Sequence, residues 1–254
     1  MSNSIKLTII GGVNKDGTKE QVDRIEVNPG DILGIVGPTG SGKSTLIDDI
    51  EQLAQGDTPT ERRILINDEE PDAKMRVDPR LKLIAQLSQN MHFLADMSVS
   101  EFLQMHARSR GKDPELMHKV VELANTLTGE PIHESDQLTV LSGGQSRSLM
   151  TADIAVISDS PIVLIDEIEN AGIKKQDALA LLAGEGKIVV VVTHDPVLAL
   201  MASRRIVIKN GGMSDIITTS TEEKNVGNRV SEVDNWMMDL REIIRRGEIV
   251  EGVV

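Results

Sequence analysis

The sequence predicts an α/β fold whose core is a parallel β-sheet. Two nearly continuous apolar segments, residues 162–165 and 188–192, have the composition of strands that are buried on both faces. Elsewhere apolar residues recur every three or four positions, as at Leu46, Ile50 and Leu53, which is the pattern of an amphipathic helix. Because alternating strands and helices are joined by crossover connections, this order indicates a sheet of parallel strands.

The elements follow one another in a regular order along the chain. The stretch 90–160 is predicted to be helical throughout and lies between core strands, and we interpret it as an inserted helical subdomain within one domain over residues 1–218. Predicted strands cover residues 5–10, 22–27, 32–36, 62–66, 82–86, 162–165, 188–192, 205–209 and 214–218. Predicted helices cover residues 43–54, two segments between 99 and 128, and residues 144–157, 174–183 and 232–246.

The C-terminal part, residues 219–254, is predicted to be a polar tether followed by an amphipathic helix. Ser231 has the character of an N-cap and Gly247 that of a helix stop. One stripe of the helix is apolar, at Val233, Met237, Leu240 and Ile244. Two interpretations stay open: the helix folds back on its own domain, or it docks a twin subunit or another partner.

Composition excludes several classes of function. The chain has 254 residues, and its 40 acidic and 27 basic residues give a net charge of −13, which disfavours non-specific nucleic-acid binding. It has no Cys, so disulfides, thiolate zinc sites and Cys nucleophiles are excluded. No apolar run approaches the ~20 residues of a transmembrane helix, and the start lacks the apolar core of a signal peptide. These observations predict a cytoplasmic protein.

A glycine-rich segment lies between the predicted strand 32–36 and the predicted helix 43–54. Glycines let successive backbone N–H groups turn toward one centre, and the following helix N-terminus attracts anions. We therefore expect the segment to hold phosphate groups, with Lys43 at the β- and γ-phosphates and the Ser44 hydroxyl on Mg²⁺. It matches the pattern G-x-x-x-x-G-K-[ST] and reads Gly37-Pro38-Thr39-Gly40-Ser41-Gly42-Lys43-Ser44.

Two acidic residues end the apolar strand 162–165. Asp166 is predicted to hold Mg²⁺, and Glu167 is predicted to face the γ-phosphate as a general base.

A second glycine pair lies at Ser142-Gly143-Gly144-Gln145, which ends 21 residues before Asp166. A Ser-Gly-Gly turn that opens a helix is another anion-binding geometry. Because one triphosphate needs one phosphate loop, the second turn indicates a nucleotide held by another subunit.

With these motifs in this order, the chain resembles the ATP-binding cassette (ABC) ATPases. Gln89 lies nine residues before Ser98 and matches the family's Gln loop. His194 follows the strand 188–192 and matches its switch histidine. The resemblance covers about residues 4–215. It implies a P-loop NTPase cassette with a parallel-sheet core, an antiparallel β portion and an inserted helical subdomain.

The resemblance also implies an ATPase that works as a head-to-tail dimer of two cassettes. Each ATP would lie between Gly37–Thr45 of one chain and the Ser142–Gln145 turn of the other. The ligands of Mg²⁺ would be Ser44, Gln89 and Asp166. The residues implied in catalysis are Glu167, His194 and Gln89, with Gln89 sensing the attacking water and His194 contacting the γ-phosphate.

The sequence departs from the family's pattern at several points. Residues 12–17, where the family places an aromatic residue on the adenine, contain none. Ile173 stands where the family has an Asp in the loop that crosses the dimer interface. Residues 146–153 lack the usual dense basic cluster, and the 26 residues between Glu167 and His194 form a short connection.

A cassette by itself does not show which work ATP hydrolysis performs. The resemblance implies first a subunit that energises a separate membrane transporter subunit, peripheral at the inner face of the cell membrane. The alternative is a soluble ABC ATPase that drives assembly or activation of a cytosolic metallocofactor protein complex, which Ile173 and the missing aromatic favour. ABC ATPases of DNA repair or chromosome structure fit less well, because the chain has no long heptad insertion and no Cys and is acidic.

Overall fold

The computed structural model describes residues 5–78, 81–88, 91–166 and 173–250. The periodicity does not predict the two short helices Ala73–Val77 and Pro196–Met201, because a helix of one or two turns carries too few apolar repeats. The strands are β1 (Leu7–Ile10), β2 (Arg24–Val27), β3 (Ile32–Val36), β4 (Arg63–Ile66), β5 (Ile84–Leu87), β6 (Ile162–Asp166), β7 (Ile188–Val192), β8 (Arg204–Lys209) and β9 (Gly212–Thr218). The helices are α1 (Lys43–Glu51), α2 (Ala73–Val77), α3 (Val99–Ser109), α4 (Leu116–Leu127), α5 (Gly143–Val156), α6 (Lys175–Gly184), α7 (Pro196–Met201) and α8 (Thr221–Arg245).

The main sheet has the strand order β5-β6-β7-β3-β8-β9. Its pairs are parallel except for the terminal pair of β8 with β9, which is antiparallel. Every residue of β7 is buried, because helices and a second sheet cover the two faces. The predicted parallel core is thereby confirmed, and its apolar strand composition follows from burial on both faces.

The second sheet is antiparallel and small. Its order is β2-β1-β4, and Leu7 and Ile9 of β1 are fully buried toward the core. Both sheets and α1 contribute to one apolar cluster, which includes Leu46 and Ile206. This sheet is the antiparallel β portion that the resemblance implies.

Helices α3, α4 and α5 form the inserted helical part with an apolar cluster of their own, to which Leu103, Val120 and Leu149 contribute. The prediction that residues 90–160 are helical throughout is wrong. Residues 128–142, between α4 and α5, contain only the short 3-10 turn Leu138–Val140. The backbone of this segment forms hydrogen bonds with nearby side chains instead. For example, the N–H of Ile132 donates to Asn125 Oδ1 at 2.7 Å.

The polar tether predicted over residues 219–229 is also wrong, because α8 already begins at Thr221. Ser220 and Glu223 exchange two hydrogen bonds, backbone to side chain, at 3.1 Å each, and so cap this helix. Ser231 is not an N-cap; its hydroxyl donates to Gln176 Oε1 at 2.6 Å. The predicted stop is confirmed, since Gly247 has a φ of 69° just after the helix.

Helix α8 folds back on α7 and α6 with one face and leaves most of its apolar stripe exposed. Gly227 packs so closely on Leu200 of α7 that a Cβ there would lie 3.1 Å from Leu200 Cβ. Val233 and Ile244 are 59% and 60% exposed. The interpretation that the helix folds back on its own domain is therefore confirmed, and docking of a partner on the exposed stripe stays a prediction. In the described part of the chain, no helix has the length and apolar character of a bilayer span.

Candidate functional site

Three predicted site segments meet at one edge of the main sheet. The phosphate loop follows β3, Asp166 ends β6, and His194 lies two residues after β7. In the sheet register Val192 pairs with Asp166 on one side and with Ile35 on the other. Because these strands are parallel neighbours, their carboxyl ends carry the three segments to the same place. In open α/β sheets this edge is where ligands bind.

The phosphate loop wraps closely against the β8–β9 turn. A Cβ on Gly37 would lie 2.5 Å from Ile208 O, and one on Gly42, whose φ is 105°, would lie 2.8 Å from Gly211 Cα. Neither position therefore accepts a side chain. Lys43 is buried, and its ammonium donates to Gly37 O at 2.9 Å and to Pro38 O at 3.2 Å. The ammonium of Lys43 is thus held by carbonyl groups of the same loop.

The residues of the loop fit a bound triphosphate. Gly42 is the N-cap of α1 and has no side chain to satisfy the first N–H groups of that helix, which lack partners within it. The hydroxyl of Ser41 is buried, and no described residue forms a hydrogen bond with it. Ser44 and Thr45 are exposed in the first turn of α1. These donors all lie in the loop and the first turn of α1, and a helix N-terminus of this kind suits a polyanion.

A buried ion-pair cluster that the sequence analysis missed supports the loop from behind. Arg62 has no exposed surface and contacts Glu20 at 2.5 Å and Asp49 at 2.9 Å. It also donates to Gly211 O at 2.8 Å, and Gly211 N donates to Ser41 O at 2.7 Å. Burial by itself would lower the pKa of Arg62. The hydrogen bonds and negative charges of Glu20 and Asp49 outweigh this effect and raise the pKa above its ordinary value. The cluster therefore fixes the turn on which the phosphate loop rests.

The segment in the position of the missing aromatic also contacts the phosphate loop. Its turn is closed by Asn14 Oδ1, which accepts the N–H groups of Asp16 and Thr18. Lys15 packs its stem against Gly211, and its ammonium donates to Gly40 O at 2.9 Å. A cation, and no ring, therefore lies beside the loop on this side.

We expect GTP to compete with ATP within about tenfold, a difference of ~1.4 kcal/mol. Residues 12–17 offer no aromatic face on which a base could stack, so the phosphates carry most of the affinity. Displacement of a fluorescent ATP analogue by each nucleotide measures the ratio, with Lys43→Ala as the variant that should bind neither. A thousandfold preference for ATP would show that another residue recognises the base.

The second glycine turn is the N-terminus of α5 and belongs to the helical part. Ser142 is its N-cap, and Ser142 and Gln145 form a capping box. The Ser142 hydroxyl also donates to Glu130 Oε2 at 3.0 Å, and Gln145 Nε2 donates to Pro131 O at 2.9 Å. Gly143 and Gly144 occupy the first turn, where their N–H groups lack helical partners. All these bonds lie on the helical part rather than on the phosphate loop.

The other predicted site residues are placed as follows. His194 is exposed and Asp166 is half-buried. Gln89 and Glu167 lie outside the described residues. Ile173 is buried in the core and forms an isolated backbone bridge with Thr128, at the end of α4. In this protomer Ile173 is therefore a packing residue.

Comparisons with known proteins agree on one family. The family model described as ABC transporter matches residues 21–170. An ABC transporter ATP-binding protein of Methanocaldococcus jannaschii is 65% identical over 244 residues, 96% of this chain and 94% of the relative. The macrolide export ATP-binding/permease protein MacB of Campylobacter jejuni is 29% identical, and the match spans 31% of its length. A crystal structure of an ATP-binding cassette of an ABC transporter in its ADP conformation has the same fold, with a TM-score of 0.62 at 23% identity over 93% of this chain and 99% of that one.

Proposed function

The chain belongs to the ABC transporter family of ATPases, and from this premise we propose that it energises a transporter whose membrane subunit is a separate protein. The observation that carries the ATPase part of the proposal is that the phosphate loop, Asp166 and His194 lie at the ends of neighbouring parallel strands. The relative that matches this chain over 94% of its length is named an ATP-binding protein, whereas the match to the fused ATP-binding/permease protein covers 31% of it. The proposed location is the cytoplasmic face of the membrane.

Affinity purification of the tagged chain from native membranes tests this proposal. We expect a multi-spanning membrane protein to co-elute, and we expect the complex to hydrolyse ATP. The same preparation from cells with Lys43→Ala should contain the complex without ATPase activity. Recovery of soluble partners only would contradict the transporter assignment and would leave the ATPase assignment standing.

In the proposed reaction the residues at the sheet edge have separate tasks. Lys43 and the N–H groups of α1 hold the phosphates, and Glu167 accepts the proton of the attacking water. Ser44, Asp166 and Gln89 would hold Mg²⁺, and the chemistry that the cation supplies is neutralisation of phosphate charge. His194 contacts the γ-phosphate.

We further propose a head-to-tail dimer in which the α5 N-terminus completes the site of the partner. Its first-turn N–H groups form a second anion site, yet the bonds of Ser142 and Gln145 stay within the helical part. A nucleotide held by the phosphate loop of a second copy satisfies both observations.

Ser142→Arg is expected to abolish hydrolysis while nucleotide binding to the monomer is kept, because the α5 turn acts on the partner's nucleotide. The matched control is Ser98→Arg, since Ser98 also caps a helix of the helical part through a capping box. Both variants lose a cap, at a cost of about 1 kcal/mol, but the control should keep its activity. Steady-state phosphate release and equilibrium nucleotide binding measure the two effects.

Mixing Ser142→Arg with Lys43→Ala should restore part of the activity. In a mixed dimer, one site combines the intact phosphate loop of the Ser142→Arg chain with the intact α5 turn of the Lys43→Ala chain. Loss of nucleotide binding in monomeric Ser142→Arg would show that the turn acts within its own chain.

The second candidate function is ATP-driven assembly or activation of a cytosolic metallocofactor protein complex. The identity of residue 173 favours it, because an Ile at this position contributes no acidic side chain to signalling between subunits. The purification experiment separates the two candidates by the kind of partner that it recovers.

A further inference from the structure

A buried lysine joins three elements beside His194. Lys175 lies in the first turn of α6, and its side chain is only 9% exposed. Its ammonium contacts Asp195 Oδ2 at 2.5 Å and Asp234 Oδ2 at 3.0 Å. Asp195 precedes α7 and Asp234 lies in the middle of α8, so one cation ties together the starts of α6 and α7 and the C-terminal helix.

Asp195 transmits this contact to the backbone that carries His194. Its Oδ1 accepts the N–H groups of Val197 and Leu198, at 2.8 and 3.2 Å, and caps α7. The backbone N–H of Asp195 donates to Thr193 Oγ1 at 2.9 Å. His194 therefore lies on a peptide segment that is bonded on both sides, and Lys175 holds the carboxylate at one of them.

On its N-terminal side, the segment that carries His194 is hydrogen-bonded to the main sheet. Thr193 is buried, and its N–H donates to the carbonyl of Ile35 in β3, one residue before the strand ends. A displacement of the α7 cap would thus move His194 relative to a fixed strand.

The attachment of α8 at this place is polar. Ser231, which lies three residues before Asp234 on the same face of α8, donates to Gln176 at 2.6 Å. Beside these bonds a cleft of about 350 Å³ separates the two helices, with Asp177 on the α6 side and Met238 on the α8 side. Apolar packing between α6 and α8 is therefore interrupted here, and among the described residues the Lys175–Asp234 ion pair and the Ser231–Gln176 hydrogen bond attach α8 at this place.

We propose that Lys175 is a positioning residue that couples α8 to His194, so that the attachment of α8 controls the rate of ATP hydrolysis and not the binding of ATP. This inference rests on the proposed ATPase function of the site. Burial lowers the pKa of Lys175, but the hydrogen bonds and charges of Asp195 and Asp234 raise it above its ordinary value, which keeps the lysine charged.

The test compares four variants of the full-length chain in steady-state ATP hydrolysis and equilibrium ATP binding. Lys175→Met removes the charge and keeps much of the stem, and Lys175→Arg keeps the charge. Asp234→Asn weakens only the bond to α8. The matched control is Lys174→Met, because Lys174 is the adjacent residue and is exposed.

We expect Lys175→Met to lower kcat by about 10- to 100-fold, the range in which small displacements of catalytic groups act. Asp234→Asn should lower kcat in the same direction, whereas Lys175→Arg and Lys174→Met should stay close to the wild type. The KM and the Kd for ATP should remain within about twofold in all four, since a change in kcat alone marks an interaction that acts in the transition state.

An unchanged kcat in both Lys175→Met and Asp234→Asn would overturn the proposal, as would a loss of ATP binding in parallel with kcat. If Lys175→Met does not fold, Asp234→Asn decides alone, because the Lys175–Asp195 pair stays intact in it. Wild-type hydrolysis that Lys43→Ala abolishes establishes the ATPase function separately, so failure of the coupling and failure of the function give different results.

Discussion

Replacing Glu167 with Gln is expected to slow ATP hydrolysis by about 10²- to 10⁴-fold while ATP binding is kept. Gln has the shape of Glu but cannot accept a proton from the attacking water. The position of Glu167 follows from the sequence, directly after Asp166, which ends β6 at the ligand edge of the sheet. Phosphate release measures the rate, and gel filtration with ATP should show an accumulated dimer.

Glu185→Gln is the matched control for this experiment, because Glu185 is an exposed carboxylate just after α6. It should hydrolyse ATP at the wild-type rate. Wild-type turnover in Glu167→Gln would show that Glu167 is not the general base. If this variant also forms no additional dimer with ATP, the assignment of the catalytic carboxylate to the end of β6 would be contradicted.

Replacing Arg62 with Met is expected to lower the free energy of unfolding by about 3–5 kcal/mol. Glu20 and Asp49, whose side chains are 0% and 3% exposed, would then be buried without their cation. Met retains much of the volume, so the expected loss comes from the unpaired charges. Urea unfolding followed by circular dichroism measures it.

The neighbouring Arg63 provides the control for this prediction. Its side chain is 56% exposed and forms a surface pair with Glu70 at 3.3 Å. Arg63→Met should therefore change the free energy of unfolding by less than about 1 kcal/mol. Equal losses in the two variants would contradict the role of the buried cluster, and Glu20→Gln added to Arg62→Met should recover part of the stability.

The sequence by itself determined the parallel core and the phosphate loop. The strands 162–165 and 188–192 were predictable because burial on both faces demands a continuous apolar run. The loop from Gly37 to Ser44 was predictable because close backbone approach at Gly37 and Gly42 accepts only glycine. Both signals are local, so they can be read from neighbouring residues.

The tertiary structure alone decided which charged residues are buried and which way the C-terminal helix faces. Arg62, Glu20 and Asp49 are far apart in the sequence and follow no pattern, and only the packing of two sheets on α1 brings them together. The segment before Ser231 is polar enough to be taken for a tether, yet it is helical: Ser220 and Glu223 cap its start, and Gly227 packs closely on Leu200 of α7. Contacts between distant segments depend on how whole elements pack, and neither periodicity nor composition contains that information.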